Sequence, residues 1–496
     1  MTRSPSPESL SSVVGDDELS RAAAGVVLAS FAGPTPPPWV LRGLADGLAG
    51  VVLFGSNVVD PEQLARLSTT LRAAGDDPVV AIDEEGGDVT RLAHATGSPY
   101  PGNAALGAAD DVVLTREVYR ALGSELAAVG VTLDLAPSVD VNTAADNPII
   151  GTRAFSHDPH LVARHGVAAV AGLHDAGVAA CVKHFPGHGA TREDSHLALP
   201  TVDVPLDVLR ERELVPFRAA IEAGAPCAMT AHIRVPELTG ELPATLSSAA
   251  LQRLLRGELG FAGVVVTDAL DMHAASARAG IAAAAADAFV AGADLLCLGA
   301  EPGPEVVAAA VAAVAEAVRE GRAPRERLDE AGARIAALRR PPGGGVPVDR
   351  TAALRAARAA LLVRGAAPAL RRPLVLQLHA PATIAAGPVP WGIAPWLSPN
   401  DGEVLDVDAA DPRPGELLAR AADRSLVVVV RDAHRYPWMV GLIERLVAER
   451  PDAVVVEMGL PVWRPRHAGA YLATHGAARA NAAAALELLG VDAPAV

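Results

Sequence analysis

The chain has almost no lysine. Lys and Arg together number 42 in 496 residues and only position 183 holds lysine, so the other 41 are arginine. Aromatic residues make up 3%, and the acidic excess leaves a net charge of −16. Non-specific binding to nucleic acid or to an anionic membrane rests on cationic patches, and no basic cluster interrupts the sequence. Cysteine is scarce too. Cys181, Cys227 and Cys297 are odd in number, far apart and set in or beside apolar runs, which fits small buried thiols in a reducing compartment better than a disulfide framework. No apolar run reaches the length of a membrane span.

What is present is apolar. Half the residues are hydrophobic, much of that alanine, which is enough for large buried cores and favours helices packed closely on a sheet. The length exceeds one ordinary domain and predicts two. Residues 1–19, rich in Ser and Pro and acidic towards their end, are expected to form a mobile tail. The run 22–32 has acidic residues before it and no strongly basic stretch, so it reads as a first strand rather than a signal sequence, and no cysteine stands near it for lipid anchoring. A cytoplasmic location is the expectation.

From there short apolar runs alternate with longer amphipathic segments. The runs are 24–30, 51–54, 79–82, 131–135, 179–183, 227–231, 264–267 and 295–298; helices are predicted at 38–48, 61–74, 111–129, 159–176, 206–223, 247–259, 279–291 and 304–338. Repeated strand-then-helix units predict a parallel (β/α)8 barrel of the TIM type, with an open doubly wound sheet as the competing architecture. Polar residues favour the barrel. Asp83, Asp134, Asp140, Lys183, His184, His232 and Asp268 all fall at or near the ends of these runs, where a closed barrel gathers them around one mouth. The segment 339–350, with its Pro-Pro-Gly-Gly-Gly core, reads as a linker that closes a barrel domain at 20–338. Beyond it, residues 351–496 predict a smaller α/β sandwich domain, with helices at 352–362, 437–449 and 477–489 and strands at 374–378, 404–407, 426–430 and 453–458. Arg431, Asp432 and His434 follow one of these strands, in a solvated turn or a site.

The stretch 181–200, CVKHFPGHGATREDSHLALP, holds the lone lysine and three of the 14 histidines. A compact ammonium and a wide guanidinium fork are distinguished by a tight polar pocket, so a lysine kept where arginine is otherwise used points to such a pocket. PGHG breaks regular structure and sends the chain into a tight loop. On that loop Asp194 and His196 form a D-x-H pair, in which the carboxylate fixes the imidazole tautomer and raises its basicity for general acid/base work. Asp268, ending the run VVVTD, is a nucleophile, a metal ligand or a helix N-cap, and local sequence does not decide among them. Asp83 in AIDEEGG precedes a Gly-Gly turn with Arg91 beyond it, and Arg153 lies in the long loop NPIIGTRAF. Both can reach the same mouth.

KHFPGHG followed by DSH, IDEEGG followed by Arg91, NPIIGTRAF, MTAHI followed by PATLS, and GFAGVVVTDAL together resemble the β-N-acetylglucosaminidases of glycoside hydrolase family 3, over nearly all of residues 20–340. The resemblance implies Asp268 as nucleophile, His196 as acid/base oriented by Asp194, and Asp83, Arg91, Arg153, Lys183 and His184 as ligands of the terminal sugar. It implies a retaining exo-acting enzyme on N-acetylglucosaminides such as cell-wall muropeptides, with no cofactor and no metal. One departure is Asp88, where relatives often carry a basic residue. The second domain resembles the C-terminal sandwich of some members more weakly, through ATHGAARAN and its strand pattern. Alternatives remain open: a phosphorylase using phosphate as acceptor, a metal-dependent barrel hydrolase with ligands drawn from His184, His188, His196, His232, Asp268 and Lys183, and a non-catalytic sugar-binding protein. Oligomeric state is not encoded in any of these motifs.

Overall fold

The computed structural model describes residues 13–15, 17–195, 198–338, 347–397, 402–410 and 412–492. Eight strands, β1 (Val27–Ala29), β2 (Gly50–Leu53), β3 (Val79–Ile82), β4 (Leu133–Asp134), β5 (Ala179–Phe185), β6 (Cys227–Thr230), β7 (Val264–Val266) and β8 (Leu296–Cys297), run parallel. Their order is β7-β6-β5-β4-β3-β2-β1-β8. The pairing of β1 with β8 excludes the open doubly wound sheet, and a parallel bridge between Val266 and Leu295 joins the two ends. The result is a nearly closed parallel barrel.

These strands read as continuous apolar runs because both faces are covered, by side chains within the barrel and helices outside it. The helices start where the chain supplies caps. Asp60 Oδ1 accepts a 2.6 Å bond from Gln63 N ahead of helix Pro61–Ala73. Asp111 caps Val112–Ala128 and Asp158 caps Pro159–Asp175 in the same way. Several segments differ from expectation. Val13 and Val14, inside the segment read as a tail, are buried in the barrel core, and helix Glu18–Ala24 follows. The region 304–338 is two helices, Pro304–Arg319 and Arg325–Leu338, because Gly321 takes a left-handed φ of 73° between them and Pro324 follows. The segment 206–223 is likewise split, and Ala249–Glu258 is wound as a π-helix.

The second domain is a six-stranded sheet with apolar clusters on both faces. Its strands are β9 (Leu362–Gly365), β10 (Leu374–Leu378), β11 (Glu403–Val407), β12 (Leu426–Val430), β13 (Val454–Glu457) and β14 (Ala470–Ala473), in the order β11-β10-β12-β13-β14-β9. Only β9 is antiparallel to its neighbour. The two domains touch at particular side chains. Arg431 Nη1 lies 3.6 Å from Asp88 Oδ1, His434 Nε2 donates to Ala145 O at 2.9 Å, and Arg350 Nε bonds Glu125 at 2.7 Å. Arg431 and His434, read from sequence as a solvated turn or a site, are thus contacts between the domains. Among the described residues no helix is long and apolar enough to cross a membrane.

Candidate active site

Asp83, Arg91, Arg153, Lys183, His184 and Asp268 line one cavity of about 340 Å³ at the C-terminal ends of the barrel strands. Asp83 follows β3, Lys183 and His184 belong to β5, Asp268 follows β7, and Arg153 ends the 3-10 turn Gly151–Arg153. A larger cavity of about 740 Å³ lies behind the segment from Leu92 to Tyr100, with His94 lining both. Its wall is mostly apolar. The smaller one is the chemically equipped site, because charged groups converge there.

The convergence is built on a chain of ion pairs. Lys183 Nζ lies 2.7 Å from Asp83 Oδ1 and 2.7 Å from Glu85 Oε1. Arg153 grips the same Glu85 carboxylate with two bonds, Nε at 2.9 Å and Nη2 at 2.7 Å, and its Nη2 also stands 3.2 Å from His184 Nε2. His184 Nδ1 is 2.7 Å from Asp140 Oδ2, which fixes the ring. Asp140 accepts further bonds from Ser138 Oγ and from the His188 backbone N–H. Burial by itself would raise the Glu85 carboxyl, yet the charges of Arg153 and Lys183 outweigh it and hold Glu85 well below the usual carboxylate range. Burial likewise opposes the Lys183 charge, and the carboxylates of Asp83 and Glu85 overcome it, leaving the ammonium more firmly protonated than usual. Asp140, also pushed up by burial, is brought down to about 2 by the charge of His184.

The loop after β5 is shaped by its glycines. A side chain at Gly189 would meet Val141 O at 2.0 Å, and Gly187 has a φ of 127° that suits glycine. His188 is buried, its Nδ1 2.7 Å from Thr191 Oγ1 and its Nε2 3.2 Å from Ser195 Oγ. Ser195 lines the cavity, so the loop that carries Asp194 is tied to the mouth there, although Asp194 itself is not among the lining residues. His196 lies outside the described residues. Asp268 Oδ1 accepts the Ala269 N–H at 2.8 Å, a bond to its own following residue that orients the carboxylate.

Sequence reasoning missed the centre of this network. Glu85 stands beside the chosen Asp83 in the same DEEGG run, and its doubled acidity was the available signal. Asp140 was placed near a strand end without a role. Nothing in the sequence pointed to Ile384, Ala385, Ala386 and Gly387, which the second domain contributes to the cavity. The metal reading fits the donors poorly. His184 and His188 spend both ring nitrogens as described, and His232 places Nδ1 2.8 Å from Thr245 Oγ1 and Nε2 2.9 Å from Ala269 O.

A nearly closed parallel barrel with charged groups and a strand-end aspartate gathered in a cavity at the C-terminal ends of its strands has the layout of a barrel enzyme. The family model for the glycosyl hydrolase family 3 N-terminal domain matches residues 44–338, and the chain belongs to glycoside hydrolase family 3. It is 41% identical over 278 residues to a β-hexosaminidase of Xanthomonas campestris pv. campestris, covering 54% of this chain and 82% of that one. It is 39% identical over 270 residues to β-hexosaminidase A of Pseudoalteromonas piscicida, where the match spans 50% of this chain and only 45% of the relative. The solved structure of a family 3 β-N-acetylglucosaminidase from Paenibacillus sp. str. FPU-7 superposes with a TM-score of 0.85 at 33% identity, over 96% of this chain and 98% of that one.

Proposed function

We propose that the chain is a retaining, exo-acting β-N-acetylglucosaminidase. The observation that carries this reading is the common cavity of Asp268 and the Asp83–Lys183–Glu85–Arg153–His184 network. Such a network offers fixed donors and acceptors to the hydroxyls of one terminal sugar. Held that way, the anomeric carbon is presented to a carboxylate. In the first step an Asp268 oxygen bonds to the anomeric carbon while the glycosidic oxygen leaves with a proton from His196, whose imidazolium is supported by Asp194. In the second, His196 takes a proton from water, the water oxygen bonds to the anomeric carbon, and the Asp268 ester bond breaks. Two displacements at one carbon retain its configuration.

N-acetylglucosaminides are the substrates that the similarity to β-hexosaminidases supports; cell-wall muropeptides as their natural form and the cytoplasm as the setting are carried from the sequence reading as part of the proposal. The chemistry is assigned to a domain spanning 20–338, joined through 339–350 to the domain at 351–496. Turnover of a chromogenic N-acetyl-β-glucosaminide by the purified chain, and its loss in Asp268→Ala, is the test. Unchanged turnover in that variant removes Asp268 from the mechanism. Running the same assay with and without phosphate and identifying the released sugar separates hydrolysis from phosphorolysis.

A further inference from the structure

The second domain reaches into the sugar cavity at one place. Residues 383–387 form a tight turn in which Gly387 N donates to Thr383 O at 2.9 Å, and Gly387 has a φ of 71°. From this turn the carbonyl of Ala385 accepts a 2.9 Å bond from Arg91 Nη2, and that of Ala386 a longer one, 3.5 Å, from Arg91 Nη1. Arg91 is fixed from the other side as well. Its backbone N–H and that of Leu92 donate to Glu84 Oε2 at 2.8 and 2.9 Å. Its Nε is buried without a hydrogen-bond partner among the described residues, and each terminal nitrogen gives one N–H to the turn, so the guanidinium that lines the cavity keeps a second N–H on Nη1 and on Nη2. Ile384, at the tip of the turn, lines the same cavity and is 55% exposed, unusual for so large an apolar side chain.

We infer that the Thr383–Gly387 turn is a built wall of the substrate pocket, holding the Arg91 guanidinium by two carbonyls and laying Ile384 against the bound sugar, so that the second domain sets affinity for the sugar unit. The inference rests on the proposed glycosidase reading for the identity of the ligand, not for the clasp on Arg91. Its chemistry suits a pyranose. Two carbonyls orient the fork so that a second N–H on Nη1 or Nη2 meets a ring or hydroxyl oxygen, and an aliphatic side chain packs on the C–H face or the acetamido methyl. Beside the turn the second domain is tied to the barrel by Arg431, which stacks on Trp391 with its guanidinium carbon 4.9 Å from the ring centre while pairing with Asp88. The relative from Xanthomonas, 82% of which is matched by 54% of this chain, contains little beyond the matched region. The catalytic steps belong to the barrel and the second domain adds grip.

Two full-length variants test this. Replacing residues 383–387 by Gly-Gly removes both carbonyls and Ile384; Ile384→Asp keeps the carbonyls and sets a carboxylate against the sugar. For a small chromogenic N-acetyl-β-glucosaminide, each is expected to raise KM roughly tenfold with kcat changed less than about threefold, and Ile384→Leu to recover most of the Ile384→Asp loss. Independently of any substrate, the shortened turn is expected to speed amide hydrogen exchange over residues 88–95 roughly tenfold. Unchanged KM in an active enzyme overturns the wall, and unchanged exchange overturns the clasp. If the parent protein fails to turn over the glycoside at all, the glycosidase reading falls and the exchange result alone decides the clasp.

Discussion

Lys183 Nζ lies 2.7 Å from Glu85 Oε1, with only 2% and 3% of the two side chains exposed. A buried charge is tolerated when its partner and hydrogen bonds are in place, and losing one partner leaves the other stranded. Glu85 serves two cations, so its removal takes the carboxylate partner from Arg153 and leaves Lys183 with Asp83 alone.

Glu85→Gln is therefore expected to lower stability by about 3–5 kcal/mol and to abolish measurable sugar binding. Lys183→Arg keeps the charge but forces a wider fork between Asp83 and Glu85, and is expected to reduce kcat/KM by roughly ten- to a hundredfold. Denaturant titration and steady-state kinetics measure the two effects. Normal turnover by Lys183→Arg would show that the site does not distinguish the two cations, contrary to the pocket read from the rarity of lysine.

His188 gives a pH-dependent prediction. Burial and the neighbouring charge of His184 lower its pKa to about 4, and both its ring nitrogens contact hydroxyls, Thr191 Oγ1 and Ser195 Oγ. A histidine depressed below its unfolded value stays neutral in the folded protein. Its contribution is fully present above about pH 6.5 and is lost as pH falls through about 4, worth roughly 3 kcal/mol over that window. Urea unfolding of the parent protein and His188→Gln at pH 7 and pH 4.5 reads this directly. The variant is expected to be less stable at pH 7 and to lose less on acidification; parallel losses in both would assign the acid sensitivity elsewhere.

At the opposite end of the barrel, Asp294 accepts from Val265 N at 2.8 Å and pairs with Arg256, Arg327 and Arg334. Its carboxylate is wholly buried and ties the last barrel helix to the strand bottoms. Polar clusters at that face of a barrel serve stability. Asp294→Asn is expected to cost about 3 kcal/mol, a fall in Tm of roughly 4–5 °C for a domain of this size, with KM unchanged below the new transition. A changed KM would connect the bottom of the barrel to the site.

The barrel was legible because its strands are short apolar runs separated by capped helices, a pattern local in sequence. In the second domain β9 and β14 escaped notice, since LVRG carries a charge and a glycine and AYLA is half alanine; neighbouring strands, not their own composition, make them strands. The candidate site followed the same division. Lys183 was visible through its rarity and Asp268 through its strand end. Glu85 owes its place to Arg153, 68 residues away, and the wall at Ala385 to Arg91, 294 residues away. Such contacts exist only once the chain is folded.

Asp88 is the sequence departure whose reason the fold supplies. Its carboxylate accepts from Thr152 Oγ1 at 2.8 Å and faces Arg431 of the second domain at 3.6 Å, both side chains largely buried at 13% and 12% exposure. A basic residue there would set two guanidinium groups against each other. Asp88→Arg is accordingly expected to lower the thermal midpoint and to raise KM by loosening the turn that holds Arg91. Arg431→Asp alone should destabilise as well, by leaving two carboxylates opposed. The doubly exchanged protein restores opposite charges across the interface while forgoing the Thr152 bond and the stack on Trp391. It should thus be more stable than the sum of the single changes predicts, by about 1–2 kcal/mol, without regaining the parent midpoint. Strict additivity of the three variants would show that Asp88 and Arg431 do not act on one another and that the domains are held together by other contacts.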